Sequence, residues 1–347
     1  MSNISSRKAD HIDLCIEGDV GFHQKTNLFE EVELIHDALP ELAVSDIDLR
    51  TEFAGVTLQA PLVIAAMTGG VDRAEEINRN LAKTAQKYGI GFAFGSQRPW
   101  LSKNIRDGYL VRDVAPDALL LGNIGIVQAA QTTSKALADM LNACGVNAVC
   151  IHLNPAMELV QPEGDQDFRY GLETIARLQE DLDIPIIIKE TGCGLSRSVG
   201  ERITKLGIEW VDISGAGGTS WVAVETHRAQ DKKKRLGHTF WDWGIPTAAS
   251  VAQLNGLGLG MCATGGIRNG LMIAKAVAMG ASCGGMARAF LQAYAAGGVE
   301  GLEQEIEQVI QEIRIAFLLC GAKNVREMQE RPLVFGPKLQ RWIPKDA

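Results

Sequence analysis

The sequence predicts an α/β fold, a (β/α)8 TIM barrel with an N-terminal extension and an insertion after the sixth strand. Three observations carry this. Short apolar runs recur from residue 60 onward. Helical stretches that stop at glycine separate most of them. Every run delivers polar or glycine-rich residues at its C-terminal end.

The runs are 61–66, 91–94, 118–122, 147–152, 185–189, 210–214, 260–264 and 281–286. Continuous apolar runs suit parallel strands buried on both faces. Between them, 73–88, 135–143, 170–181, 198–206 and 269–279 carry apolar residues at helical spacing, and Gly89, Gly145, Gly207 and Gly280 stand after them as expected for C-terminal helix caps. No composition break divides the eight units, which favours a closed barrel over its competitor, an open doubly wound sheet. After the last strand, Leu302, Ile306, Val309, Ile310, Ile313, Phe317 and Cys320 mark one face of a long amphipathic helix ending at Gly321. That stripe reads as core or interface.

Two segments fall outside the rhythm. Residues 1–60 form the extension, expected to contribute to the substrate site of the barrel at 61–347. Residues 219–250 are longer than an ordinary βα connection and rich in Trp, His, Lys and Arg, which reads as a lid or an oligomer contact.

The composition excludes several classes. The chain has 347 residues, 46% hydrophobic and 22% charged, with a formal net charge of -8, so no basic footprint for nucleic acid exists. The run Lys232-Lys233-Lys234-Arg235 reads as a solvated loop. No apolar run approaches the ~18–20 residues that span a bilayer. The N-terminus lacks an apolar signal region, so a cytoplasmic protein is expected. Cys15, Cys144, Cys150, Cys193, Cys262, Cys283 and Cys320 form no CxxC pair and read as buried reduced thiols.

Barrel enzymes place their chemistry on the loops after the strands. Gly265-Gly266, with a helix from about Asn269 behind it, gives close backbone approach and free amides at a helix N-terminus, which is a phosphate site; tight turns alone are the other reading. Gly215 to Gly218 and the Thr219 hydroxyl reach the same phosphate. Lys189 ends an apolar strand and projects into the mouth. It either pairs with an acid such as Glu190 or faces an electron-rich cofactor, where a lysine near a flavin's N1–O2 edge stabilises the anionic reduced ring. Asn123 and Thr68 are placed to bond the ring's polar edge. His152 and Asn154, two apart, point the same way along a strand. Glu158 suits Mg²⁺, which uses one or two carboxylates plus substrate phosphate, with Glu163 as a second candidate. Arg7, Lys8 and His11, together with Ser96-Gln97-Arg98, form a clamp for a second anion, although Arg7-Lys8 alone also reads as a tail.

These residues resemble a known family. Arg7-Lys8-x-x-His11, MTGG at 67–70, GSQR at 95–98, HLN at 152–154, QPEGD at 161–165, KE at 189–190, SGAGGTSW at 214–221, DWGIPT at 242–247 and TGGIR at 264–268 are similar to the type 2 isopentenyl diphosphate isomerases, from about residue 5 to 340. The resemblance implies isomerisation of isopentenyl to dimethylallyl diphosphate by proton transfer from reduced FMN, with Mg²⁺, and NADPH as reductant. FMN would be held by Ala66, Met67, Thr68, Ser96, Asn123, Lys189, Ser214, Thr219, Gly265, Gly266, Ile267, Arg268, Ala287 and Arg288. Substrate diphosphate would be held by Arg7, Lys8, Ser96, Gln97, Arg98, His152 and Asn154, and Mg²⁺ by Glu158. Lys189, His152 and position 157 would serve the chemistry. A homo-tetramer or octamer is implied, with N-terminal arms reaching a neighbour's site.

One position departs from the family pattern HLNxxQE. Met157 stands at the glutamine, and a thioether of similar volume neither orients nor accepts a proton. The alternatives are therefore an FMN barrel acting on a related phosphorylated substrate and a non-catalytic FMN or prenyl diphosphate-binding paralogue. A 2-hydroxy-acid oxidase is disfavoured, because no His-Gly-x-Arg-Gln stretch stands near strand seven.

Overall fold

The computed structural model describes residues 14–15, 18–67 and 72–343. Three short strands precede the barrel: β1 (Val32–Leu34), β2 (Thr51–Phe53) and β3 (Val56–Leu58). The barrel strands are β4 (Leu62–Ile64), β5 (Gly91–Ala93), β6 (Leu119–Gly125), β7 (Ala148–Leu153), β8 (Ile186–Glu190), β9 (Trp210–Asp212), β10 (Gly260–Ala263) and β11 (Cys283–Met286), and β12 (Leu333–Phe335) comes last. β4 to β11 close into a barrel in which each strand is parallel to its neighbours. All eight sequence runs became these strands, because each is apolar enough to be buried on both sides. The barrel fold is as the sequence predicts.

The helices between them form as expected. Ser134–Cys144 starts at Thr133, whose side chain accepts from the Ala136 amide, and it ends at Gly145 with φ 62°, which a residue without Cβ adopts freely. The C-terminal stripe is core: Leu302, Ile306, Val309, Ile313 and Phe317 lie buried on the helix Arg288–Leu319, which kinks at Gly298.

The two ends of the barrel differ in kind. At the N-terminal end the β2–β3 hairpin inserts Phe53, Ala54 and Leu58 as a plug beneath Val63, Leu121, Cys150, Ile187, Cys262 and Cys283. Above that apolar layer, register brings polar residues together: β7 pairs His152 with Lys189, and β8 pairs Lys189 with Asp212. All seven cysteines are free; Cys193 alone is half-buried, the other six being buried.

The extension does two jobs. β1 pairs antiparallel with β12, tying it to the far end of the chain. Residues 18–27 instead run as a strap over the C-terminal mouth. Gly21 bridges Thr219, the Ser220 amide donates to Val20 O, and Asn27 Nδ2 donates to Gly266 O. The 219–250 segment folds into the helices Trp221–Arg228 and Asp231–Phe240 and the start of Thr247–Leu254. The basic run is solvated, but it lies on the helix Asp231–Phe240 and not in a loop; lysine and arginine are good helix formers, and the exposed face costs them nothing.

Candidate active site

Two cavities open at the C-terminal mouth. The larger, about 680 Å³, is lined by the ends of β4, β8, β9, β10 and β11 and roofed by the strap. The smaller, about 150 Å³, lies over β5, β6 and β7. They share Ala66, Met67, Lys189, Thr191, Ser214 and Trp221, so they form one continuous site.

Lys189 sits at the junction. Its Nζ lies 2.6 Å from Asp212 Oδ2, and both side chains are buried. The other carboxylate oxygen, Oδ1, accepts the Thr264 hydroxyl, which in turn accepts the Ser214 amide. Burial works against the charged ammonium, but the Asp212 carboxylate outweighs it and holds the Lys189 pKa above the ordinary lysine value. The lysine is ion-paired, to Asp212 and not to Glu190, and it also lines both cavities. Asp212 was missed at the level of sequence. The signal was present, an acid inside the apolar run WVDIS.

Every described cofactor candidate lines one of the cavities. Ala66, Met67, Lys189, Ser214, Thr219, Gly265, Gly266, Ile267, Arg268, Ala287 and Arg288 line the larger, and Ser96 and Asn123 the smaller. Thr68, Arg7 and Lys8 lie outside the described residues. Gly265 and Gly266 have φ 103° and 72°. A Cβ on Gly266 would stand 2.5 Å from Gly217 O, and one on Gly218 would meet the Gly266 amide nitrogen, so two glycine loops lie pressed together at the cavity floor.

The helix expected to supply free amides has two of its first three already engaged. At Gly270–Ala278, Asn269 Oδ1 caps the Met272 amide at 2.9 Å and Glu312 Oε2 takes the Gly270 amide at 2.7 Å. A different helix end faces the cavity: Arg288–Leu319 begins without a side-chain cap, and Arg288, Ala289 and Gln292 line the wall. The positive end of its dipole and the exposed Arg268 suit an anion. Arg288 donates to Cys15 O and Gly18 O, so it also anchors the strap.

In the smaller cavity His152, Asn154, Met157, Glu158 and Arg98 converge. His152 Nδ1 lies 2.7 Å from Asn123 Oδ1, and Asn123 Nδ2 donates to Phe94 O. Because that amide nitrogen is committed to a carbonyl, Oδ1 faces the imidazole and the proton sits on Nδ1. Glu158 is buried; its Oε1 accepts from Asn154 Nδ2 and its Oε2 from the Asp165 amide, each at 2.9 Å. Among the described residues no group of three His, Cys, Asp or Glu side chains is placed to hold a metal. One carboxylate is what Mg²⁺ needs when a diphosphate supplies the remaining oxygens.

Gln97 is a correction. It is fully buried behind the wall, with Oε1 on the Asn123 amide and Nε2 on Cys144 Sγ, so it lines neither cavity. It fixes Asn123, and through Asn123 it fixes His152. Glu163 also lies outside both linings. The strap residues Phe22 to Thr26, with Thr191, Trp221, Thr264 and Gln128, line the site unannounced; nothing local in the sequence marks a segment that arrives from 200 residues away.

Comparison with known proteins identifies the family. The chain matches the model of the FMN-dependent dehydrogenases over residues 1–157 and 132–334. It is 43% identical to the isopentenyl-diphosphate delta-isomerase of Thermococcus kodakarensis, covering 97% of this chain and 93% of that protein. The enzymes of that name from Pyrococcus horikoshii and Nostoc are 42% and 41% identical, covering 97% and 93% of this chain and 94% of each protein. The chain belongs to the isopentenyl-diphosphate delta-isomerase family. Among solved structures it is similar to a flavocytochrome b2 (TM-score 0.69, 18% identity, 94% of this chain and 82% of that one) and to a mandelate oxidase (TM-score 0.64, 17%, 93% and 95%). At that identity the likeness shows the shared barrel alone.

Proposed function

We propose that this chain interconverts isopentenyl and dimethylallyl diphosphate, with FMN in the larger cavity and the diphosphate ester in the smaller. The observation that carries the reading is the junction at Lys189, where a buried cation faces both cavities. The volume of about 680 Å³ falls within the ~300–1,000 Å³ usual for ligand pockets. The glycine loops and Arg268 fit a phosphate, and the Lys189 ammonium fits the electron-rich edge of a flavin. Bound FMN, when reduced, supplies the group that exchanges protons with the substrate alkene.

The protein's own residues do the rest. Lys189, held by Asp212, presents fixed positive charge at the junction without reorganisation. His152, oriented by Asn123, and Arg98 face the diphosphate, and Glu158 would share Mg²⁺ with it. Trp221 and Met67 line the junction and keep it dry. NADPH as reductant, a cytoplasmic location and a homo-tetramer or octamer belong to the same reading and rest on the family resemblance. No helix among the described residues is long and apolar enough to cross a membrane.

Met157 favours a second reading, a binding paralogue without turnover, because it lines the substrate cavity with a side chain that carries no proton. The test is to reduce the FMN-loaded protein anaerobically with Mg²⁺ and monitor isopentenyl diphosphate by NMR in D₂O. Isomerisation or deuterium uptake supports the isomerase, with a rate raised by M157Q. Loss of both in the wild type, recovered in M157Q, identifies the paralogue.

A further inference from the structure

Glu190, the acid that ends β8, lines neither cavity, yet it is buried to 5% exposure beside Lys189 and Thr191, which line both. Its Oε2 accepts from the Thr191 amide at 2.6 Å and from the Cys193 amide. Thr191 lines both cavities and Gly192 lines the larger. The same loop is fastened elsewhere by backbone. Gly192 N and Gly194 N donate to Ser214 O at 2.9 and 3.0 Å, and Ile245 N donates to Cys193 O at 2.8 Å. Ser214, on the neighbouring β9 loop, holds φ 42°, a left-handed conformation unfavourable for a residue with a Cβ. The loop after β8 is thus fastened to a strained acceptor on one side and to the buried Glu190 carboxyl group on the other.

We propose that Glu190 is a positioning residue of the cofactor cavity: its buried carboxyl group, bonded to the Thr191 and Cys193 amides, holds Thr191 and Gly192 in the arrangement that admits FMN. The proposal rests on reading the larger cavity as the FMN site. A turn that needed only backbone bonds would not bury an acid, since burial of a carboxyl group is costly unless its bonds are used.

Burial pushes the Glu190 pKa up to about 7, against the lowering effect of the Cys193 and Thr191 amides and of Lys189. The charged and titratable groups around the loop are Lys189 on the same strand, itself neutralised by Asp212 on β9, the Cys193 thiol, and Lys25 of the strap, which acts on Cys193 and donates to Gly244 O. Linkage sets the sign. A carboxyl group whose pKa is raised in the closed arrangement favours that arrangement when protonated; this support is complete below the ordinary carboxyl value of 4.5 and is lost as pH rises through about 7. FMN binding should then weaken through this group as pH rises towards 7 and level off above it.

The experiment titrates apo-protein with FMN by fluorescence quenching from pH 5.5 to 8.5, for wild type, E190A and E190Q. E190A, which leaves the two amides unpaired, is expected to bind FMN about tenfold more weakly throughout. E190Q keeps a neutral acceptor, so the ratio of wild-type to E190Q Kd is expected to be smallest at pH 5.5, to rise about fivefold or more by pH 7 and to level off above it. Taking the ratio cancels the titration of the FMN phosphate. E190A that binds as wild type, or a ratio independent of pH, overturns the proposal. A wild type that takes up no flavin overturns instead the reading of the cavity. Should E190A not fold, amide hydrogen exchange in the wild type decides: Thr191 and Cys193 protection that falls as pH rises towards 7, after correction for intrinsic rates, supports the clasp, and unchanged protection contradicts it.

Discussion

At the scale of residues, the site turns on a charge that the fold neutralises in advance. Lys189 is buried, and without Asp212 it would be an uncompensated cation in low dielectric. Asp212→Asn should therefore lower unfolding free energy by about 3–5 kcal/mol at pH 7, read from denaturant melts. Because the Lys189 pKa is raised in the folded state, its contribution is complete below the ordinary lysine pKa of 10.5 and is lost only as pH climbs beyond that. Wild type should keep this contribution from pH 6 to 9 and lose it in strong base, whereas in D212N burial alone acts on Lys189, so the gap should be widest at low pH and narrow as the unpaired lysine gives up its proton. A gap that widens with rising pH would place the charge elsewhere. The sequence made Lys189 legible because a charge ending an apolar strand has few places to go. It left Asp212 obscure because two acids lay within reach, Glu190 next door and Asp212 one strand on, and only the register between β8 and β9 chooses.

At the scale of elements, the strand ends and the glycine stops after the helices were legible, and the capping of helix N-termini was not. Eight apolar runs announce eight strands, and the residues just past each run reach the mouth whatever the details of packing. Capping is a tertiary matter. Gly270 finds its acceptor on Glu312, 42 residues away, and no local pattern predicts that. Gln97 failed for the same reason: its neighbours in sequence face the cavity while it turns back to Asn123. The glycine loops yield a direct prediction. Gly266→Ala puts a Cβ 2.5 Å from Gly217 O at φ 72° and should weaken FMN binding more than tenfold while costing about 1–3 kcal/mol of stability. Gly256→Ala is the control: it bears similar strain at φ 82° but meets open space, so it should leave FMN affinity unchanged. Equal affinity in the two variants would remove the loop from the phosphate site.

At the scale of the molecule, one chain closes both ends of its barrel with residues between 18 and 58. The β2–β3 plug makes the lower end pure core, and the strap roofs the upper end, fastened where Trp241 stacks between His23 and His238 at 4.6 and 5.8 Å. The barrel itself is shared with a mandelate oxidase and a flavocytochrome b2 at under a fifth identity, so it is generic, and function is argued from the mouth. The barrel was readable from periodicity alone. The strap was not, since the bonds that fasten it across the mouth reach residues some 200 positions distant.

The site as a whole stands or falls on two ligands meeting at Lys189. The most direct measurement is to titrate apo-protein with FMN and then, with Mg²⁺ present, add isopentenyl diphosphate while recording the flavin absorbance. One FMN should bind per chain, and its spectrum should shift and saturate with the diphosphate, both effects being weakened in Lys189→Ala. Failure to bind flavin, or a bound-flavin spectrum that the diphosphate leaves untouched, would contradict that meeting.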